Sequence, residues 1–179
     1  MRLTKLLEGS MYKNIPAIPV ILVLLFVGCS QAPSEHLEAN KDLVRRFTVA
    51  TNEADWSAFD EILTENFCRH SQATGDVQVN SREDFKKLQQ SFLATMPDQK
   101  ITLEMMIAEG DKVAVYATYS GTMTGPMGDF PATGKSSSSP FLGIFRIEEG
   151  RIAELWVEWD NLAMLGQLGL FPSPAEGNK

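Results

Sequence analysis

Glu148–Leu170 reads EEGRIAELWVEWDNLAMLGQLGL. A turn, a strand and a helix follow one another in this run, and the rest of the chain can be arranged around it. Glu148-Glu149-Gly150 is a turn whose glycine accepts the positive φ of a tight hairpin. A strand follows from Arg151 to about Trp159. Asp160 closes it and can cap a helix in which Leu162, Leu165 and Leu168 recur at helical spacing, with glycines around Gln167 to end it. An acid between a tryptophan-rich strand and an apolar helix is expected to be partly buried, which prepares a carboxyl group for proton transfer near neutral pH.

Strand parity divides that expectation in two. Glu154, Trp156, Glu158 and Asp160 share one face of an ideal strand, and Ala153, Leu155, Val157 and Trp159 share the other. In one arrangement the even face is solvated and the odd face is core. In the other, the acids and Trp156 line a pocket while the odd face packs elsewhere, against another subunit for example. A bulge near the strand end would mix the two.

The chain has 179 residues and a net charge of −7. That length suits one domain of the usual ~100–150 residues plus an appendage. The acidity, with no basic cluster interleaved with aromatics, argues against a nucleic-acid surface. Met1–Gly28 reads as a targeting segment. Ile15–Val27 is almost wholly apolar and follows Lys13, but it falls short of the ~20 residues of a membrane-spanning helix and fits the apolar core of a secretory signal. Met11 opens a more conventional signal than Met1. Leu24-Leu25-Phe26-Val27-Gly28-Cys29 resembles a bacterial lipobox, with Phe26 where leucine is more usual. The resemblance implies cleavage before Cys29, lipid on its sulfur, and an extracytoplasmic, membrane-anchored protein, on the periplasmic side in a Gram-negative cell. Cys68 is then the one cysteine left; with no partner for an intramolecular disulfide, it is expected to be a small buried filler.

Cys29–Asn40 has the polar composition of a tether, with His36 inside it. Asn40 is expected to cap a first helix carrying Leu43, Val44, Phe47 and Ala50, and Asp55 to start a short second one presenting Phe59, Ile62 and Leu63. Ser81 with Asp84 approximates a capping box for a third helix with the stripe Phe85, Leu88, Phe92, which Pro97-Asp98 stops. Strands are expected over Ile101–Ala108 and Lys112–Met123 around the turn Glu109-Gly110-Asp111, and again over Lys135–Ile147 after a loop at Thr124–Gly134. Helices first and an antiparallel meander afterwards indicate an α+β domain over Lys41–Leu170, with Phe171–Lys179 as a tail. Gly128…Gly134-Lys135-Ser136 has the wrong spacing for a phosphate loop, two histidines do not build a familiar zinc site, and no serine sits in a nucleophile elbow.

Taken in order, several segments resemble the SnoaL-like polyketide cyclase, or ester cyclase, branch of the nuclear-transport-factor-two-like fold. They are Phe67 with His70 and Gly75; Met96-Pro97-Asp98; Ala108–Ala114; Gly121-Thr122 with Gly125; Pro131–Lys135; and Ile152–Trp156 with Asp160 and Gln167-Leu168-Gly169. The resemblance implies a cone-shaped, curved antiparallel sheet wrapped around N-terminal helices, an apolar pocket inside, and homodimerisation through the sheet. It also implies cofactor-independent acid/base chemistry, the intramolecular aldol closure of a ring, with Asp160 at the position of the family's aspartate. Such chemistry asks little of a protein beyond positioning and desolvation, because the substrate delocalises its own enolate.

Two functions are compatible with these residues. One is acid/base catalysis on a small apolar carbonyl substrate, with Asp160 as base and acid and His70 orienting it or polarising the substrate. Trp56, Tyr116, Phe141 and Trp156 are then candidate walls, and Glu158 a neighbouring charge. The other is a non-catalytic, lipid-anchored module that binds an apolar ligand or an envelope protein. Met123 and Leu155, where many relatives carry histidine, favour the second; Asp160 favours the first. A surface or core histidine with a satisfied hydrogen bond is the plainer expectation for His70.

The anchor is directly testable. Wild-type protein is expected to partition with membranes and Cys29→Ser to persist as an uncleaved precursor. A soluble mature protein starting beyond Cys29 would contradict lipidation.

Overall fold

The computed structural model describes residues 33–74 and 77–171; the expected signal segment, Cys29 and most of the expected tail lie outside them. Helix α1 spans Pro33–Glu53, α2 Phe59–Ile62, α3 Arg82–Thr95 and α4 Asn161–Gln167. The strands are β1 Leu63–His70, β2 Lys100–Glu109, β3 Lys112–Thr122, β4 Ser136–Glu148 and β5 Arg151–Trp159. They form one curved, open sheet in the order β1-β5-β4-β3-β2. The pairs from β2 to β5 are antiparallel, as a meander requires, whereas β1 joins the edge parallel to β5.

Both hairpin turns follow from their residues. Gly110 takes φ +56 between β2 and β3, and Glu149 and Gly150 take φ +50 and +75 between β4 and β5, the pair of positive values that matches strand twist. The capping box at α3 also forms: Ser81 Oγ accepts from the Asp84 amide at 3.1 Å and donates to Asp84 Oδ2 at 2.8 Å. Gly125 is demanded by close approach, since a Cβ there would lie 2.0 Å from the Ala94 carbonyl oxygen.

Two expectations at the N-terminus need correction. The tether expected up to Asn40 is already helical from Pro33, and Asn40 is not a cap. Glu38 of that segment pairs forward along the helix surface, with Lys41 at 2.8 Å and Arg45 at 3.9 Å. Asn40 is buried and donates to the Gly110 carbonyl at 3.2 Å, pinning α1 to the first hairpin. Asp55, likewise, opens a turn and not a helix, accepting from Ser57 Oγ and the Ala58 amide. Its carboxyl lies below the ordinary range because of the Ser57 hydrogen bond and then that from Ala58.

The helices pack on one face of the sheet. Phe47, Phe59, Ile62, Phe85 and Leu88 are buried there, with Phe92 partly buried against them, as the helical spacing indicated, and Val113, Val115 and Phe145 join them from the sheet. Phe47, Phe59 and Phe85 form the centre of this core: the Phe85 ring lies 5.6 Å from Phe47, 5.5 Å from Phe59 and 5.0 Å from Phe67, distances at which aromatic pairs attract. A second cluster of Met96, Met123 and Leu168 closes the far end. Phe59→Ala, deep in the first cluster and fully buried, is expected to cost about 3–5 kcal/mol in urea unfolding. A loss under about 1 kcal/mol would show that the centre of packing is elsewhere.

Candidate functional site

Alternation along β5 decides what faces inward. Leu155 and Val157 are buried and Trp159 half-buried, whereas Trp156 and Glu158 are exposed. The solvated-even arrangement therefore holds over the second half of the strand. Arg146 pairs with Glu154 but Ile147 with Ile152, so Ala153 is an extra, bulged residue on β5 and Ile152 also packs in the core before the odd residues take over.

Inside the sheet lies a cavity of about 350 Å³. Phe47, Phe85, Phe92, Phe141, Phe145 and Leu155 supply much of its apolar wall, and Met164 and Leu165 extend it under α4. Its polar contributions come from Thr48, Arg69, Thr74, Gln89, Tyr119, Ser139 and Asn161. Tyr119 donates to Gln99 Oε1 at 2.7 Å, and burial pushes its phenol well above the ordinary value, with Asp98 adding to it. It is a fixed neutral donor, not a proton shuttle.

Arg69 was not anticipated. It is 7% exposed, and its Nη1 donates to Thr74 Oγ1 at 2.9 Å while its guanidinium sits 5.6 Å from the centre of the Trp159 ring. Burial lowers its pKa from the ordinary value, and Glu158 pulls it back up. Glu158 is not an ion-pair partner. Its carboxylate accepts from the amides of Gln72 and Ala73 at 2.6 and 3.0 Å, and Asn161 Nδ2 donates to the Ala73 carbonyl. These contacts tie the loop after β1 to the end of β5 and so fix Thr74 beside Arg69. The signal in the sequence was parity: Phe67 is fully buried, so Arg69 two residues on shares its face, and His70 does not.

The remaining expected site residues separate accordingly. Phe141 lies on the cavity wall. Trp56 packs against Phe59 with ring centres 5.8 Å apart, in the aromatic core and off that wall. Tyr116 and Trp156 are on the opposite face of the sheet, exposed, and Glu158 anchors the loop, so none of the three lines the cavity; strand alternation is the cause in each case. His70 is also on the outer face. Its Nε2 is 2.9 Å from Glu154 Oε2 and its ring stacks on Trp156 at 4.9 Å, so the plainer expectation describes it. The hydrogen bonds from His70, and then from Arg146, hold the Glu154 carboxyl below its usual range. Cys68 shares that outer face, only half-buried, with its thiol 3.6 Å from Asn80 Oδ1 and raised by burial and by Glu154.

Asp160 caps α4, its Oδ1 accepting from the Ala163 amide at 3.0 Å, and its side chain is exposed. The expectation of partial burial fails because the cap draws the carboxylate toward the helix end. Its chain neighbours Trp159 and Asn161 both line the cavity, so Asp160 stands at the rim, not on the wall. Met123 and Leu155, the two positions at which the resemblance led one to look for histidine, are buried, Leu155 on the wall itself.

The residues that carried the resemblance have clear structural work. Asp98 accepts from the Thr122 amide and hydroxyl, both at 2.7 Å, and these bonds lower its carboxyl pKa. Gln167 accepts from the Ser138 amide at 2.7 Å and donates to Ser139 Oγ at 3.3 Å, which fastens α4 to β4. Leu168 is fully buried beside them.

The SnoaL-like polyketide cyclase family matches residues 41–168. Among solved structures, TsrD from Streptomyces laurentii is 30% identical, with a TM-score of 0.67 over 75% of this chain and 97% of that one. IdmH from Streptomyces antibioticus, a proposed polyketide cyclase, is 27% identical with a TM-score of 0.65 over 73% and 98%. A protein of ketosteroid isomerase-like fold from Catenulispora acidiphila, 18% identical with a TM-score of 0.63 over 76% of this chain and 97% of that one, shares the fold. No curated protein matches the chain. With the match running through the whole sheet and both ends of the cavity, this chain belongs to the SnoaL-like polyketide cyclase family.

Proposed function

We propose that the cavity binds a small, largely apolar carbonyl compound and that Asp160 at its rim carries protons to and from it, in an intramolecular aldol closure or a related enolisation. The observation behind this is the cavity of about 350 Å³, whose wall runs from β5 into α4 on either side of Asp160. An α-proton beside a carbonyl is acidic enough for a carboxylate once the substrate is held and dried. The lipobox at Cys29 would place this activity outside the cytoplasm on a membrane anchor. A second reading, ligand binding without turnover, draws support from the apolar Met123 and Leu155 and from the engagement of Asp160 as a cap.

Exchange of the α-protons of 2-tetralone in D2O, followed by NMR, separates the two. Wild type is expected to accelerate exchange. Asp160→Asn is expected to lose about 10²–10⁴-fold of that acceleration, while folding and stabilisation by 2-tetralone persist because asparagine retains the cap. Unchanged exchange in the variant would remove Asp160 from the chemistry. Binding without exchange by wild type would favour the second reading.

The outer sheet face supports self-association. Met105 lies beside Tyr116, which lies beside Leu142; one row away, Ile107, Ala114, Ile144 and Trp156 are successive neighbours. Leu142 is 64% exposed and Ile107 62%. Exposed apolar rows this extensive are uncommon on a monomer, and a two-fold axis through the sheet would lay each row against its copy. Sedimentation equilibrium is expected to give a dimer for wild type and a monomer for Leu142→Glu with its thermal unfolding little changed. A monomeric wild type would contradict the interface.

A further inference from the structure

Arg69 is a buried cation that has no counterion among the described residues. Among the described residues no carboxylate lies within 4.0 Å of its guanidinium, and its hydrogen-bond partner is a neutral hydroxyl, Thr74 Oγ1. Glu158, the described acid whose charge acts on it, is committed to two backbone amides. Gln89 faces the same cavity at 8% exposure with no side-chain hydrogen bond among the described residues. On that wall too, Trp159 holds a buried indole Nε1 with no partner among the described residues. Taking an unpaired charge out of water is costly, and proteins normally offset it with an opposite charge. An arginine in a cavity also stays ionised and offers a planar fork of N–H donors shaped to a carboxylate.

We infer that the ligand of this cavity is an amphipathic acid: an apolar body against the phenylalanine wall and a carboxylate on Arg69, supported by Gln89. The inference rests on the cavity being the ligand site and adds the chemical class of what enters it. Arg69 anchors and orients; the carbonyl chemistry proposed for Asp160 would take place elsewhere on the same molecule. Phe67 and the β1–β5 pairing aim the guanidinium inward, and Thr74 on the tied loop holds one of its donors so that the others are free to meet two carboxylate oxygens.

The test uses two probes of nearly equal size, 2-naphthoate and methyl 2-naphthoate, titrated into the full chain by calorimetry at neutral pH. Wild type is expected to bind the acid at least about tenfold more tightly than the ester, as a charge-assisted pair would give. Arg69→Met is expected to weaken the acid at least about tenfold and leave the ester within about threefold. Arg69→Gln, which keeps a polar group at the site, should do the same and covers the case in which the methionine variant does not fold. Equal affinity for acid and ester in wild type, or acid binding indifferent to the loss of Arg69, would overturn the carboxylate anchor and leave the cavity as an apolar binding site. Binding of neither probe would overturn the cavity reading and this inference with it.

Discussion

The parallel register of β1 on β5 is the constraint on which the site depends. Cys68 lies beside Glu154, Arg69 beside Leu155 and His70 beside Trp156. Neighbouring residues in a sheet share a face, so one register fixes two environments at once. Arg69 and Leu155 go to the cavity; His70, Trp156 and Glu154 go to the outer face, where they stack and hydrogen-bond to one another. A slip of one residue would exchange them, presenting Cys68 and His70 to the phenylalanine cluster and Arg69 to solvent. The burial of Phe67 beside Phe85 opposes that slip, because reversing the face would expose a large aromatic side chain.

Much of the frame was legible in the sequence because it is local. The Ser81–Asp84 box, the glycine turns at Gly110 and Gly150, and the cap at Asp160 each join residues a few positions apart, and they form where the spacing places them. The aromatic core was legible from helical periodicity for the same reason. What the sequence hid was non-local. Nothing in Leu63–His70 announces a parallel partner almost ninety positions away, and without that partner the inward direction of Arg69 depends on noticing Phe67 alone. Trp156 and Tyr116 were drawn to the pocket by their chemistry, but a large exposed aromatic is equally suited to an interface between copies, and only alternation separates the two roles. The early start of α1 was hidden by composition: the polar run up to Asn40 looks like a tether, yet its Glu38 makes an i,i+3 pair with Lys41 on the helix.

The cavity combines an apolar wall with a polar end built from distant parts of the chain. Glu158 and Asn161 hold the loop after β1, that loop brings Thr74 to Arg69, and Gln167 fastens α4 as the lid of the same space. Leu155 keeps the wall beside Arg69 apolar, so the guanidinium is the charged end of an otherwise apolar space. A single buried cation in such surroundings is strongly selective, because little water remains to screen it.

The most direct measurement of this arrangement is 19F NMR of protein labelled with 5-fluorotryptophan, whose three tryptophans, Trp56, Trp156 and Trp159, report from the core, the outer face and the cavity wall. Resonances are assigned by single Trp→Phe substitution, and 2-naphthoate is titrated in. The Trp159 resonance is expected to shift with ligand while that of Trp156 stays in place. A shift of Trp156 with Trp159 unmoved would contradict it, because the ligand would then sit on the face that the β1–β5 register assigns to the outside.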